Sequence, residues 1–416
     1  MSSHILEDFR QFLDNSPTSW HAAGEIASRF ASVDMTPLDE AEKWQLERGK
    51  KYFVERGGSI CSFSLPKETP KKITIVCAHT DSPALKLKPR PEVSAENMLL
   101  LETEIYGAPI LASWMNRDLA LAGKVIVQKG KEIRDELVFL EEAPLLIPQI
   151  AIHLEKEPVL DKQDHLRPIF TLGGEKAGFL EAYLRRTIDF DTLLSFELML
   201  VPLESSRFLG PTSEMLASYR LDNLASAHAC TAAIASAPVT DAIQLALLWD
   251  HEEIGSRTAE GAASSFLSDI LKRIAIALKL SEEDQIRLKK GSLCVSVDVA
   301  HAYNPNFAKK YDPNHQPLMG KGIVLKHNAD RKYATDVATA AVITSVCKSM
   351  KLPLQSYVSR TDVPCGSTVG PIVAHTLGIS TVDIGCGIFS MHSSREVIAC
   401  QDHLDMCQLL TQILQS

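Results

Sequence analysis

No stretch of this 416-residue chain reaches membrane-spanning length without charges, so no transmembrane helix is expected. The first residues, Met1-Ser2-Ser3-His4-Ile5-Leu6-Glu7-Asp8, have no basic head and no continuous apolar segment, and a secretory leader is not expected. Long basic runs are also missing, and 43 Lys and Arg stand against 52 Asp and Glu for a formal charge of −9. Nucleic acid and anionic membrane surfaces are therefore not expected partners. There is no C-x-x-C pair; the nine cysteines are odd in number and scattered singly, and Cys77, Cys230 and Cys294 sit inside apolar runs. Buried thiols in a reducing compartment are expected, rather than disulfides or a thiolate metal site, and the expected location is cytoplasmic. No internal repeat and no low-complexity tract is found.

What is present is an ordinary globular composition, 45% hydrophobic and 23% charged, in a chain long enough for more than one domain. Helices are expected over residues 5–13 and after Ser16-Pro17, where Thr18 or Ser19 can cap the start. Lys51–Val54 and Ile60–Leu65 flank Arg56-Gly57-Gly58 as a hairpin. The apolar runs 73–78, 243–249, 293–299, 354–358 and 379–384 predict strands. They alternate with helical patterns over 222–236, 262–280, 336–350, 366–377 and 403–414. Such alternation predicts an α/β fold, with a mostly parallel sheet covered by helices on both faces. Residues 89–213 lack helical periodicity and show short strand-like pieces at 98–105, 123–128, 137–139 and 198–202. A β-rich second domain over 89–213, inserted into a catalytic domain made of 1–88 and 214–416, is expected.

Five strands or their flanks end in residues able to bind a cation: His79 with Asp81, Asp222, the pair Glu252-Glu253, Asp298 with His301, and His392. Function in open α/β sheets gathers at the carboxyl ends of strands. Charged groups at the end of a run as apolar as Ile243–Trp249 need a neutralising partner. Imidazoles and carboxylates without thiolates suit Zn²⁺, Mn²⁺ or Co²⁺, and the ligand count suggests two ions, as in dinuclear hydrolases. Singly, each residue has an ordinary use. His79 and Asp81 suit a surface turn, Asp222 a helix cap, Asp298 a strand end, and His392 a satisfied core histidine. It is the joint pattern that points to a metal site.

These segments resemble the aspartyl aminopeptidase family. Cys77-Ala78-His79-Thr80-Asp81-Ser82-Pro83, Tyr219-Arg220-Leu221-Asp222-Asn223-Leu224, Glu252-Glu253-Ile254-Gly255-Ser256, Ser296-Val297-Asp298-Val299-Ala300-His301 and Ser390-Met391-His392-Ser393-Ser394-Arg395-Glu396 occur in the family's order. The resemblance implies a zinc-peptidase-like fold and an aminopeptidase with two divalent ions per chain, zinc foremost. It also implies peptide substrates with a free N-terminus, preferentially Asp or Glu. By motif, Asp222 would bridge the ions; His79 and Asp298 would complete one site, Glu253 and His392 the other. Glu252 would be the general base, and Asp81 would fix the tautomer of His79. Lys326, with Tyr333 downstream, would meet the substrate's acidic side chain; the residues alone read Lys326 as a solvated loop lysine. The family assembles dimers into a dodecamer through the inserted domain, and His153 would reach a neighbouring subunit's site. Its other reading is a buried strand histidine.

The chain departs from the pattern at Met115-Asn116, where an aromatic and Asp are usual, at Val363, and around Gly385-Cys386-Gly387, which lacks a nearby proline. No expected ligand is lost. Two other functions use the same residues: a dinuclear amidohydrolase or deacetylase of small N-acyl amino acids, and a non-catalytic self-assembling relative.

Overall fold

The computed structural model describes residues 2–173 and 178–416. The chain forms two compact units: Met1–Asp81 with Ser206–Met391 and Glu396–Ser416, and Ser82–Ser205 with His392–Arg395.

The first unit is built on a nine-stranded sheet. Its order is Thr36–Leu38, Lys51–Arg56, Ser59–Ser64, Ile243–Trp249, Ile73–His79, Leu293–Val297, Ser380–Gly385, Ile323–His327, Leu354–Val358. The four strands from Ile243–Trp249 to Ser380–Gly385 are mutually parallel. Antiparallel pairings join the Lys51–Arg56/Ser59–Ser64 hairpin on one side and Ile323–His327 on the other.

Period-two alternation sorts the central strands onto two apolar layers. Ile73, Ile75 and Cys77, with Ile243, Leu245, Leu247 and Trp249, pack against the helices Phe266–Leu278, Glu282–Lys290 and Val369–Leu377. Val76, Ala78, Ala246, Leu248, Val295, Val297, Val382 and Ile384 face the other way. There they meet Ser2–Asp14, Ser19–Ser32, Leu221–Ser236, Val337–Met350 and Cys400–Gln415. The continuous apolar runs read in the sequence are thus strands buried on both faces. A small five-stranded sheet completes the unit; in it Met215–Ser218 pairs with Glu396–Ala399, Ser218 opposite Glu396.

The second unit carries a six-stranded sheet in which every pairing is antiparallel, ordered Glu132–Leu145, Leu119–Lys129, Thr192–Pro202, Ala84–Ala95, Met98–Tyr106, Ile169–Leu172. Several of these strands run much longer than the short pieces expected. At the start of Glu132–Leu145 the charged Glu132, Arg134, Asp135 and Glu136 are interleaved with exposed Ile133 and Leu137, so the apolar signal covers only part of the strand.

Two helix starts shift for local reasons. The helix expected from 262 begins at Phe266, because Ala263 and Ser264 are held in turns to Ser256 and Gly261. The helix expected from 366 begins at Val369, after an extended Thr368 whose Oγ1 donates to Asp383 Oδ1 at 2.7 Å. Ile323–His327, unassigned in the sequence reading, is a strand. Among the described residues no helix is long and apolar enough to cross a membrane.

The two-faced burial of Phe266–Leu278 yields a direct test. Ile274 is 1% exposed and Ile276 is 77% exposed. Ile274→Ala should cost about 2–5 kcal/mol and Ile276→Ala less than about 0.5 kcal/mol, measured by urea unfolding; equal losses would contradict the packing described.

Candidate metal centre

Register decides which side chains meet. Trp249 pairs with His79 and Ser296 with Cys77, and the Thr80 N–H donates to Trp249 O at 2.7 Å. The carboxyl ends of three adjacent parallel strands therefore finish on one edge of the sheet. His79 ends one strand, Asp250–Glu253 follow the second and Asp298 follows the third. A Cβ on Gly385 would lie 1.8 Å from Asp298 O. Glycine there lets the Asp298 backbone pass close to the neighbouring strand, to which the Asp298 N–H donates at 2.9 Å through Ile384 O.

His79 is the hub. Its Nε2 lies 3.3 Å from Asp222 Oδ1 and 3.8 Å from Asp298 Oδ1, and its Nδ1 lies 3.4 Å from Asp81 Oδ1 and 3.0 Å from Asp81 O. His79, Asp81 and Asp222 are buried. The Asp81 carboxylate accepts two consecutive backbone N–H groups, Glu252 at 3.0 Å and Glu253 at 3.1 Å. It thereby fixes the short 3₁₀ turn Glu252–Ile254 that aims the glutamate pair. Asp222 stands at the head of Leu221–Ser236, where its N–H donates to Glu396 Oε2 at 2.9 Å; the Asn223 side chain donates to Val297 O at 2.9 Å. Asp222 thus lies at the N-terminal end of this segment, where its own backbone and that of Asn223 are non-helical, after Arg220 in the left-handed region.

Crowded carboxylates in a dry site resist ionisation. Burial pushes the Glu252 carboxyl up to about 7; His79 pulls it back, while Asp298, Asp81 and Asp222 add to the rise. Burial raises Glu253 well above the usual carboxylate range, with Asp222 the next cause. For His79, burial works against the charged form, yet contact with Asp222, Asp298 and Asp81 holds its pKa well above the usual value. The site therefore calls for positive charge.

A divalent ion fits that need. Ligand atoms of His79, Asp222 and Glu253 all lie within 4.8 Å of one another. The 3.3 Å between His79 Nε2 and Asp222 Oδ1 is about the ligand–ligand edge of tetrahedral zinc with bonds of about 2.0–2.2 Å. Nitrogen and oxygen donors without thiolate suit zinc, manganese or cobalt.

Of the residues expected at the site, the first unit brings together His79, Asp81, Asp222, Glu252, Glu253, Asp298, Lys326 and Tyr333. Lys326 is not the solvated loop lysine its local sequence suggests. It sits on the strand Ile323–His327, 2% exposed, with Nζ 3.4 Å from Asp298 Oδ2 and 5.2 Å from the Tyr333 ring centroid. A buried lysine persists only when paired, and that pairing is legible only in three dimensions. His392 and His153 belong to the second unit. His392 Nδ1 lies 3.0 Å from Ala108 O. His153 is exposed in a turn at 152–154, not buried on a strand; the apolar residues around it are themselves exposed, which the local pattern alone does not reveal.

Three supporting residues were not singled out from the sequence. Glu396 receives the Asp222 N–H. Asp250 accepts from Ser19 Oγ at 2.9 Å and from the His251 N–H at 2.8 Å, holding the turn into the glutamate pair; burial and then Asp81 push its carboxyl up to about 7. Asp383, fully buried, accepts from the Ala334 N–H at 2.6 Å behind Lys326. Asp383 and Glu396 are isolated acids in sequence and Asp250 stands two residues before the glutamate pair; their contacts in the fold are what mark them. Because Asp81 positions both glutamates through their backbone, Asp81→Asn should leave the circular dichroism spectrum unchanged and weaken metal affinity about 10–100-fold, read by chelator competition. Unchanged affinity would remove Asp81 from that role.

The model of the M18 family, aminopeptidase I zinc metalloprotease, matches residues 12–413. A "Probable M18 family aminopeptidase 2" of Streptomyces avermitilis is 39% identical, over 98% of this chain and 97% of the relative. A protein of the same name from Azotobacter vinelandii is 36% identical, over 100% and 99%. Among solved structures, one chain from the cryo-EM structure of the Ape4 and Nbr1 complex superposes with a TM-score of 0.94 at 32% identity, over 100% of this chain and 86% of the other. The mApe1 dodecamer of S. cerevisiae superposes at 0.87 with 26% identity, over 98% and 95%. On a family model that covers nearly the whole length, this chain belongs to the M18 family of zinc metallo-aminopeptidases.

Proposed function

We propose that the enzyme removes N-terminal Asp or Glu from peptides at a two-ion centre, with Glu252 as general base. The observation that carries this reading is the convergence of His79, Asp222, Glu253 and Asp298 in one donor cluster, while Glu252, held by the same Asp81 carboxylate, remains available for proton transfer. Asp222, His79, Asp298 and Glu253 would hold the ions, with Asp222 shared, His79 and Asp298 serving one and Glu253 the other. His392 is retained as Glu253's partner on its sequence motif alone. Bound zinc supplies a Lewis acid for the scissile carbonyl and makes water acidic near neutral pH.

The side chains divide the remaining work. Glu252 takes a proton from the attacking water and returns it to the departing amine, the work of a carboxylate that is not spent as a ligand. Asp81 keeps Glu252 and Glu253 pointing to their separate tasks. Lys326, a buried cation beside Asp298 and Tyr333, supports an acidic preference, because a substrate carboxylate entering there meets positive charge. Glu252→Gln should keep its metal and lose about 10²–10⁴-fold in kcat. The informative panel sets Asp, Glu, Leu and Lys anilides beside N-acetyl amino acids. Fastest turnover of Asp and Glu anilides by the wild type is expected; cleavage confined to N-acyl substrates, or full activity in the variant, would overturn the assignment.

We also propose a homo-oligomer, up to the dodecamer named for the yeast relative, with contacts through the second unit. That unit exposes Ile150, Ile152, Leu154 and Val159 within one short segment, between 50% and 89% each, a run of apolar side chains of the kind that interfaces cover. His153, exposed among them, is assigned to a neighbouring copy's substrate site. Light scattering during size exclusion should give a multiple of the protomer mass; a monomer at micromolar concentration would reject the assembly.

A further inference from the structure

The first unit holds another group of ligating side chains where three helices meet. Ser2–Asp14 supplies Asp8 and Phe9, Leu221–Ser236 supplies His228, and Cys400–Gln415 supplies His403 and, one turn later, Cys407. The i, i+4 spacing puts His403 and Cys407 on one helix face. All three potential ligands are buried: His228 is 1% exposed, His403 0% and Cys407 7%. His228 Nδ1 lies 3.0 Å from His403 Nε2, and Cys407 Sγ lies 3.7 Å from the same nitrogen. One ligand atom from each residue falls within 4.8 Å of the others. The far nitrogen of His228, Nε2, meets Asp8 Oδ2 at 2.9 Å, and Arg29 Nη1 holds that carboxylate at 2.8 Å. Phe9 stacks on His403 with ring centroids 3.8 Å apart.

Three observations set this group apart from a buried hydrogen-bond chain. Two imidazoles and a thiol form a borderline-to-soft donor set suited to zinc. Tetrahedral zinc, with bonds of about 2.0–2.1 Å to nitrogen and about 2.3 Å to sulfur, has ligand edges near 3.3 Å and 3.6 Å; the observed 3.0 and 3.7 Å differ from these by only a few tenths. Asp8 stands where an outer carboxylate fixes the tautomer of a metal-bearing histidine.

We propose that His228, His403 and Cys407 form a further, non-catalytic zinc site, with Asp8 orienting His228 and water taking the fourth position. The ion ties Leu221–Ser236 to the last helix, and Asp8 links the first helix to it through His228. Burial lowers the pKa of both imidazoles and keeps them neutral, the form that ligates. Burial also pushes the Cys407 thiol up to about 12, so binding must release the thiol proton to solvent, and occupancy falls as pH falls.

Cobalt substitution of the full-length protein separates this site from the hydrolytic centre, whose donors include no sulfur. The wild type should show a thiolate-to-cobalt charge-transfer band saturating at about one equivalent per chain. Cys407→Ser should lose the band, bind about one zinc fewer per chain than wild type, and keep peptide hydrolysis. No band in the wild type, or a band that survives in Cys407→Ser, overturns the proposal. Should Cys407→Ser fail to fold, His403→Gln serves as the second variant with the same two readouts.

Discussion

The first unit is organised around one electrostatic problem. Asp81, Asp222, Glu253 and Asp298 crowd around a single imidazole at the end of a buried parallel sheet. At such distances, and away from bulk water, carboxylates cannot all carry charge without a counter-cation. The raised pKa values of Glu252 and Glu253, and the upward pull on His79 from its carboxylate neighbours, express that unmet demand. A bound cation would resolve it, and the M18 family to which the chain belongs is one of zinc metalloproteases.

Everything around the cluster serves its geometry. The parallel register aligns three strand ends. Gly385 gives the Asp298 backbone its clearance. Asp81 accepts two consecutive backbone N–H groups and so fixes the turn that carries the adjacent glutamates. Glu396, from the small sheet, anchors the backbone of Asp222. Lys326 sets a positive charge against Asp298, with Asp383 and Tyr333 behind it. A ligand set drawn from separated stretches of chain can hold only if such neighbours remove the freedom of each side chain.

The helix layer on one side of the sheet adds a second theme. His228 and His403 are buried imidazoles that the hydrolytic centre does not use, and they lie on helices far apart in sequence. Scattered single cysteines point to inert buried thiols, and for Cys61 or Cys230 burial alone describes the residue. Cys407 differs because its helix sets it one turn from a histidine that faces another histidine. Pairwise spacing in sequence carries no trace of that.

The sequence by itself determined the α/β alternation, the strand Ile243–Trp249, the hairpin around Gly57-Gly58 and the placing of His79, Glu252 and Glu253 at the ends of apolar runs. Those features rest on local periodicity, on turn residues and on acids that follow apolar runs, all of which are read within a few residues. It did not determine the long strands of the second unit, whose open faces mix charge with apolar side chains. Nor did it determine the burial of Lys326, the exposure of His153, or the supporting roles of Asp250, Asp383 and Glu396. Those depend on which strand lies beside which, and on what covers each face. Only the tertiary structure decides that, because desolvation and pairing are properties of neighbours in space rather than along the chain.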